Sequence, residues 1–339
     1  MNETSVSIPG KLYLCGEYAV TDGGFAVVLP VNREMRITVK NADAFKLFTD
    51  KKQEGIPFTI GLKDLTRYPL VKNAITTVIE YTKNKGISIR PVEITIASFL
   101  EDDNHKALGL GSSGTLTTGI IEAMLRHLDI HVTPMTLYIL AVKTQAELAE
   151  VSSFGDLALS AYKNPILYRP FHGNPKEPDG WKDLVIERLN IQLPPYTIIN
   201  TREKTASTKL VSQVNAHKHK TCYQTFKTTS ARLVEALLKA IQGKATIDFI
   251  QTIDALNTNF INLEQCTNTP LFNRMMHRLN ALAKENGGAM KFSGAGGGDN
   301  VLLFYPDDKT RNTVETALKT SGFKTDVIRF MEVNHEPKR

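Results

Sequence analysis

The chain has 339 residues, 42% hydrophobic and 22% charged, with a net charge of +6. That composition is globular, the length corresponds to about two domains, and such a chain buries roughly three quarters of its unfolded surface without staples. No run reaches the ~18 apolar residues of a membrane helix, and 22 glycines and 15 prolines exclude a collagen-like chain.

Met1-Asn2-Glu3-Thr4 is polar and acidic, unlike a signal peptide, so the expected location is cytoplasmic. Cys15, Cys222 and Cys266 are widely spaced and form no CxxC. Neither a disulfide scaffold nor a zinc ribbon is expected, and a reducing compartment is. The basic residues are scattered. They suit an anionic small molecule better than nucleic acid, and a nucleic-acid-binding protein is the reading from a different class.

Strands are predicted at 5–14, 25–32, 35–39 and 91–100, the last from the alternation of Val92, Ile94 and Ile96 with Glu93, Thr95 and Ala97. Leu116, Ile120, Ile121, Met124, Leu125 and Leu128 recur at helical spacing. Thr133-Pro134 starts a second helix, running to about Glu150. A strand at 166–168 is followed by His172 to Trp181, which reads as a linker or surface loop. Beyond it come a strand at 197–200, helices at 207–241, 246–265 and 270–286, strands at 289–292 and 301–305, a helix at 308–320 and a strand at 324–332. Strands and helices mix without strict alternation, which predicts an α+β fold in two domains, 1–185 and 186–339.

Three glycine-rich segments stand out. Gly109-Leu110-Gly111-Ser112-Ser113-Gly114-Thr115 opens the amphipathic helix. Backbone N–H groups and the positive helix end meet there and form an anion site. No lysine precedes the hydroxyls, so it is not a Walker A loop. Ser293-Gly294-Ala295-Gly296-Gly297-Gly298-Asp299 places four glycines in six residues between two strands, more than a hairpin needs. Lys11 lies in Pro9-Gly10-Lys11-Leu12-Tyr13-Leu14-Cys15-Gly16-Glu17-Tyr18 and can aim a point charge at phosphate. Singly, each has a plain reading: a capped helix, a flexible hairpin, an edge-strand lysine.

In chain order, at 9–17, 109–115 and 293–299, the three segments resemble the motifs of the GHMP kinases, which include galactokinase, homoserine kinase, mevalonate kinase and phosphomevalonate kinase. Tyr18 after Gly16-Glu17, and Ser153-Phe154-Gly155-Asp156-Leu157-Ala158, are most similar to phosphomevalonate kinases of the Gram-positive bacterial type. Ser152-Ser153 departs from the Gly-Ser of many members.

The resemblance implies a ribosomal-protein-like N-terminal domain and a ferredoxin-like C-terminal one. It implies ATP and phosphomevalonate as substrates with Mg²⁺, in a monomer or homodimer. Residues 109–115 would hold the ATP phosphates, with Ser113 on the metal. Lys11 and Asp156 would be catalytic. Lys11, Tyr18, Arg202, Ser207, Ser293, Gly294, Ala295 and Gly296 would face the acceptor, with Lys204 and Lys209 beside Arg202 as solvated charges. Mevalonate or homoserine phosphorylation, and a non-catalytic nucleotide sensor, are the alternatives. Glu147 and Glu150 read as exposed helix charges. His217 and His219, two residues apart, share no helix face, and no HExxH occurs, so no zinc site is expected.

Overall fold

The computed structural model describes residues 3–49, 52–59, 62–102, 106–148, 152–203, 207–321 and 328–331, with the side chains of 52–54 and 207 excepted. The chain forms two compact units, each discontinuous: 1–11, 30–164 and 171–184 in the first, and 12–29, 165–170 and 185–339 in the second.

β1 (Glu3–Cys15) pairs with β2 (Ala26–Asn41), most residues of both belonging to the first unit. The expected strands at 25–32 and 35–39 are one continuous strand. β3 (Lys46–Thr49), β4 (Lys52–Pro57) and α1 (Pro69–Lys83) follow, then β5 (Val92–Ser98). β5 lies between β3 and β2, parallel to β3 and antiparallel to β2. Its alternation holds: Val92, Ile94 and Ile96 are buried while Thr95 is exposed. Period-2 patterning on one covered face is the physical reason.

α2 (Ser112–His127), α3 (Pro134–Ala146) and α4 (Gly155–Tyr162) complete this unit. Thr133 caps α3, its side chain accepting from Thr136 N–H at 3.1 Å. α3 ends earlier than expected, and Glu150 lies outside the described residues. One pair ties the end of α4 to α2: Lys163 Nζ lies 2.8 Å from Glu122, which Arg126 of the same helix α2 also contacts at 2.6 Å.

In the second unit, β6 (Ile166–Arg169) pairs with the first residues of β2 and with β7 (Val185–Arg188). β8 (Tyr196–Asn200) leads to α5 (Ser207–Asn215), α6 (Thr221–Gln242), α7 (Thr246–Thr267) and α8 (Arg274–Glu285). The single helix expected at 207–241 is two, because His217 to Lys220 form turns and Lys220 is extended at the cap. β9 (Ala289–Ser293), β10 (Asn300–Phe304) and α9 (Asp308–Thr320) follow. The sheet runs β8-β10-β9, all antiparallel. This is the order of the first three strands of a ferredoxin-like domain. The last strand, expected at 324–332, lies largely outside the described residues. Tyr223, Phe226, Phe260, Leu263, Phe292 and Leu303 are among the residues packed in this unit's core.

The cysteine expectation needs correction. Cys222 and Cys266 form a disulfide joining the first turn of α6 to the last turn of α7. Their sequence separation of 44 gives no spacing signal, because the pairing is decided by how the two helices pack. Cys15 is a buried thiol, and burial pushes its pKa up to about 12. Among the described residues no helix is long and apolar enough to cross a membrane.

Candidate active site

The first glycine segment sits where the sequence placed it, at the N-terminus of α2. Gly111 is the N-cap with φ +80°, a left-handed conformation that glycine adopts without strain, and no side chain caps the helix. Lys11 N–H donates to the Leu110 carbonyl at 2.9 Å, fastening the loop to β1.

Two glycines here make room for two charged side chains. A Cβ on Gly111 would lie 2.8 Å from Lys11 Cε and 2.9 Å from its Cγ. A Cβ on Gly114 would lie 2.8 Å from Asp156 Oδ2 and 3.1 Å from its Cγ. The lysine stem thus lies on the loop, and the carboxylate lies on the first turn of α2. Asp156 belongs to the first turn of α4, where Oδ1 accepts from Leu157 N–H at 3.0 Å. Burial raises the Asp156 pKa, while the Lys11 ammonium and two backbone hydrogen bonds pull it back.

Ser113 is exposed and Ser112 is partly exposed. Thr115 differs from expectation. It is fully buried, its hydroxyl donates to the Ser112 carbonyl at 2.9 Å, and its N–H donates to the Gly111 carbonyl at 3.1 Å. Both donors are engaged inside the helix, so Thr115 packs the loop. Leu110 is likewise buried.

In the second unit the other two segments are bound together. Tyr13 N–H donates to Ser293 Oγ at 2.8 Å, and Tyr18 Oη donates to the Ala295 carbonyl at 2.5 Å. Tyr18 is 3% exposed, and this bond ties it to the glycine segment. Ala295 and Gly296 are buried too, the latter against the Leu271 carbonyl. Gly294, with φ +90°, has open space where a Cβ would be. Of the four expected acceptor-side positions here, Gly294 alone has that openness.

Beneath the segment lies a pair the sequence reading missed. Lys291 is fully buried, and its Nζ lies 2.5 Å from Glu17 Oε1. It also donates to the Phe292 carbonyl, and to the Tyr13 carbonyl at 3.5 Å. Burial raises the Glu17 pKa, opposed by Lys291 and by the Gly294 N–H. Glu17 inside the first motif and a lysine two residues before Ser293 were the available signals.

Arg202 is exposed, with φ +60°, and its N–H donates to Asn200 Oδ1 at 2.9 Å. Thr201 N–H donates to the Asp299 carbonyl at 2.7 Å, and Asp299 N–H donates to the Glu203 carbonyl at 2.9 Å. Arg202 is thereby held beside the glycine segment. Lys209 is exposed on α5, while Lys204 and the Ser207 side chain lie outside the described residues. Glu147 is exposed and pairs with Lys176 at 2.7 Å.

Residues 69–164 match the GHMP kinase N-terminal domain. The family match is thus carried by those residues, and beyond them the chain is similar to GHMP kinases. It is 26% identical to the phosphomevalonate kinase of Streptomyces sp. (strain CL190), over 90% of both chains. The Lin0012 protein of Listeria innocua superposes with a TM-score of 0.87 at 26% identity, covering 98% of this chain and 100% of that one. Streptococcus pneumoniae phosphomevalonate kinase, in complex with phosphomevalonate and AMPPNP, superposes with a TM-score of 0.84 at 22% identity. That superposition covers 96% of this chain and 99% of the streptococcal one. The GHMP kinase fold therefore extends over nearly the whole chain.

Proposed function

We propose that this chain is a phosphomevalonate kinase, transferring the γ-phosphoryl of ATP to (R)-5-phosphomevalonate to give the 5-diphosphate and ADP. The observation carrying this reading is the convergence of Lys11 and Asp156 on Gly111 and Gly114 at the N-terminus of α2. The relative at 26% identity supports the choice of acceptor. In this reading residues 1–185 supply the ATP phosphate site and residues 186–339 the glycine-rich segment on the acceptor side, in a cytoplasmic enzyme of isoprenoid synthesis.

Phosphoryl transfer asks mainly for positioning and for neutralised charge. The backbone of residues 109–114 receives the β- and γ-phosphates at the positive end of α2. Lys11 stabilises the charge that develops on the bridging oxygen. Hydroxyl and carboxylate oxygens are the hard donors that Mg²⁺ takes, usually one or two beside substrate phosphates. Ser113 fits that role. Mg²⁺, when bound, supplies neutralisation of phosphate charge.

The acceptor decides what Asp156 does. An alcohol needs a base. A phosphate monoester has its second pKa near ~6 and is largely dianionic at pH 7, with little to deprotonate. Asp156 then orients Lys11, as its interaction with that ammonium suggests. Arg202 clamps an acceptor oxyanion with parallel bonds.

ADP release with ATP and Mg²⁺, offering phosphomevalonate, mevalonate and homoserine separately, tests the reading. Turnover with phosphomevalonate alone is expected. Turnover with an alcohol acceptor only would keep the family, sink the acceptor, and make Asp156 a base.

A further inference from the structure

Residues 172–181, expected to be a linker or surface loop, form a mostly exposed loop that closes on itself. His172 N–H donates to the Lys182 carbonyl at 2.8 Å, and Lys182 N–H donates back at 3.0 Å, closing the segment into a small strap. Inside it, Trp181 Nε1 donates to the Asn174 carbonyl at 2.8 Å. The strap lies in the first unit, with α3 and α4.

The rings form a run. Trp181 stacks on Phe171 with centroids 3.8 Å apart and planes 4° from parallel. Phe171 stacks on Phe154 at 5.9 Å and 5°. Tyr138, buried on α3, meets Trp181 edge-on at 5.9 Å. Lys176 anchors the far side of the strap on Glu147, just past α3. The strap therefore touches Glu147, just past α3, through an exposed ion pair and Phe154, just before α4, through ring stacking.

Phe154 is the point of leverage. It is the residue before α4, with φ +55° and ψ +15°. A phenylalanine in the left-handed region is strained, and such a conformation persists only where the surroundings over-determine it. The hydroxyl of Ser152 accepts from Phe154 N–H at 3.2 Å, and the ring is 6% exposed beneath Phe171. Asp156 follows two residues later, so the set of Phe154 fixes the direction in which its carboxylate leaves α4.

We propose that the strap acts as a positioning element for Asp156, with Phe171 and Trp181 holding Phe154, and through it the first turn of α4, in the geometry that brings the carboxylate onto Gly114. The proposal rests on the reading of Asp156 given above. It adds residues that touch neither substrate nor metal. A strap of this kind acts on turnover more than on nucleotide affinity, because the phosphate loop itself is fastened separately through Lys11.

The test is steady-state ADP release by the full chain with ATP and Mg²⁺, using each of the three acceptors. Trp181→Ala and Phe171→Leu are compared with Trp181→Phe. The expected result is a fall in kcat of about 10-fold or more for the first two. KM for ATP should stay within about 3-fold, and Trp181→Phe should keep most of the turnover because it keeps the stack. Should Trp181→Ala fail to fold, Phe171→Leu against Trp181→Phe decides, since one keeps apolar bulk and the other keeps ring stacking. Unchanged kcat in Phe171→Leu would overturn the proposal. So would equal damage from Trp181→Phe, or a rise in KM for ATP alone. Whichever acceptor the wild-type chain turns over serves as the reporter. With none, basal ATP hydrolysis serves instead, so loss of the acceptor assignment is read separately from loss of the strap.

Discussion

Gly114 and Asp156 are in contact: the space a Cβ would take at 114 ends 2.8 Å from Asp156 Oδ2. The helix that presents the phosphate loop and the helix that carries the carboxylate therefore meet at a position that has to lack a side chain. Gly114→Ala should separate stability from activity. Alanine in a first helical turn is favoured over glycine by up to about 1 kcal/mol, so the melting temperature should hold. The carboxylate must move, so kcat should fall at least ~10-fold. Thermal unfolding and ADP release on one preparation check both halves.

Replacing Asp156 distinguishes orientation from proton removal. With phosphomevalonate as acceptor, Asp156→Asn should lower kcat by about 10-fold, against the 10²–10⁴-fold typical of a lost general base. Because burial raises the Asp156 pKa, the carboxylate stays protonated to a higher pH than an ordinary aspartate. The acid limb of kcat/KM should accordingly lie above the usual aspartate range and disappear in Asp156→Asn. The stability sign is the opposite of a salt-bridged aspartate: a raised folded pKa means the ionised form disfavours folding, so Asp156→Asn should not destabilise at pH 7. A pH–rate profile and a denaturant titration read these out.

Glu17 and Lys291 should be far more costly to separate than to remove together. Taking one partner from a buried pair leaves an uncompensated charge, worth about 3–5 kcal/mol. Lys291→Met and Glu17→Gln should each lower stability by that order, and the double variant by less than the two combined. Urea unfolding of the three variants checks the cycle.

Arg202→Ala should raise KM for the acceptor. A hydrogen bond to a charged group contributes about 1.5–3 kcal/mol, which is roughly 10- to 100-fold. KM for ATP should change little, and initial-rate kinetics in both substrates tests this.

The cysteines predict a simple thiol count. Cys15 is buried with its pKa pushed up to about 12, and the other two cysteines are bridged. Native protein should not react with a thiol reagent near neutral pH. After denaturation one thiol should titrate without reductant, and all three with it. Cys222→Ser should cost about 2–4 kcal/mol, the usual range for a lost disulfide.

What the sequence determined by itself was whatever depends on neighbours along the chain. The period of β5 and the amphipathic face of α2 were legible because one covered face imposes a repeat of 2 or 3.6. The glycine segments were legible because left-handed backbone and close approach demand glycine, and Gly111 and Gly294 both have positive φ. α1 and β7 went unread, and His217 to Lys220 gave no visible break between α5 and α6. The tertiary structure alone decided the rest. Tyr18, a candidate for the acceptor side, has its hydroxyl on the carbonyl of a residue 277 positions away. Lys291 meets Glu17 across 274 positions, Cys222 meets Cys266 across 44, and Phe171, just before the expected surface loop, lies stacked on Phe154. Such partners leave no periodic trace, because burial and charge pairing are settled by which surfaces packing brings together, after local spacing has fixed the elements.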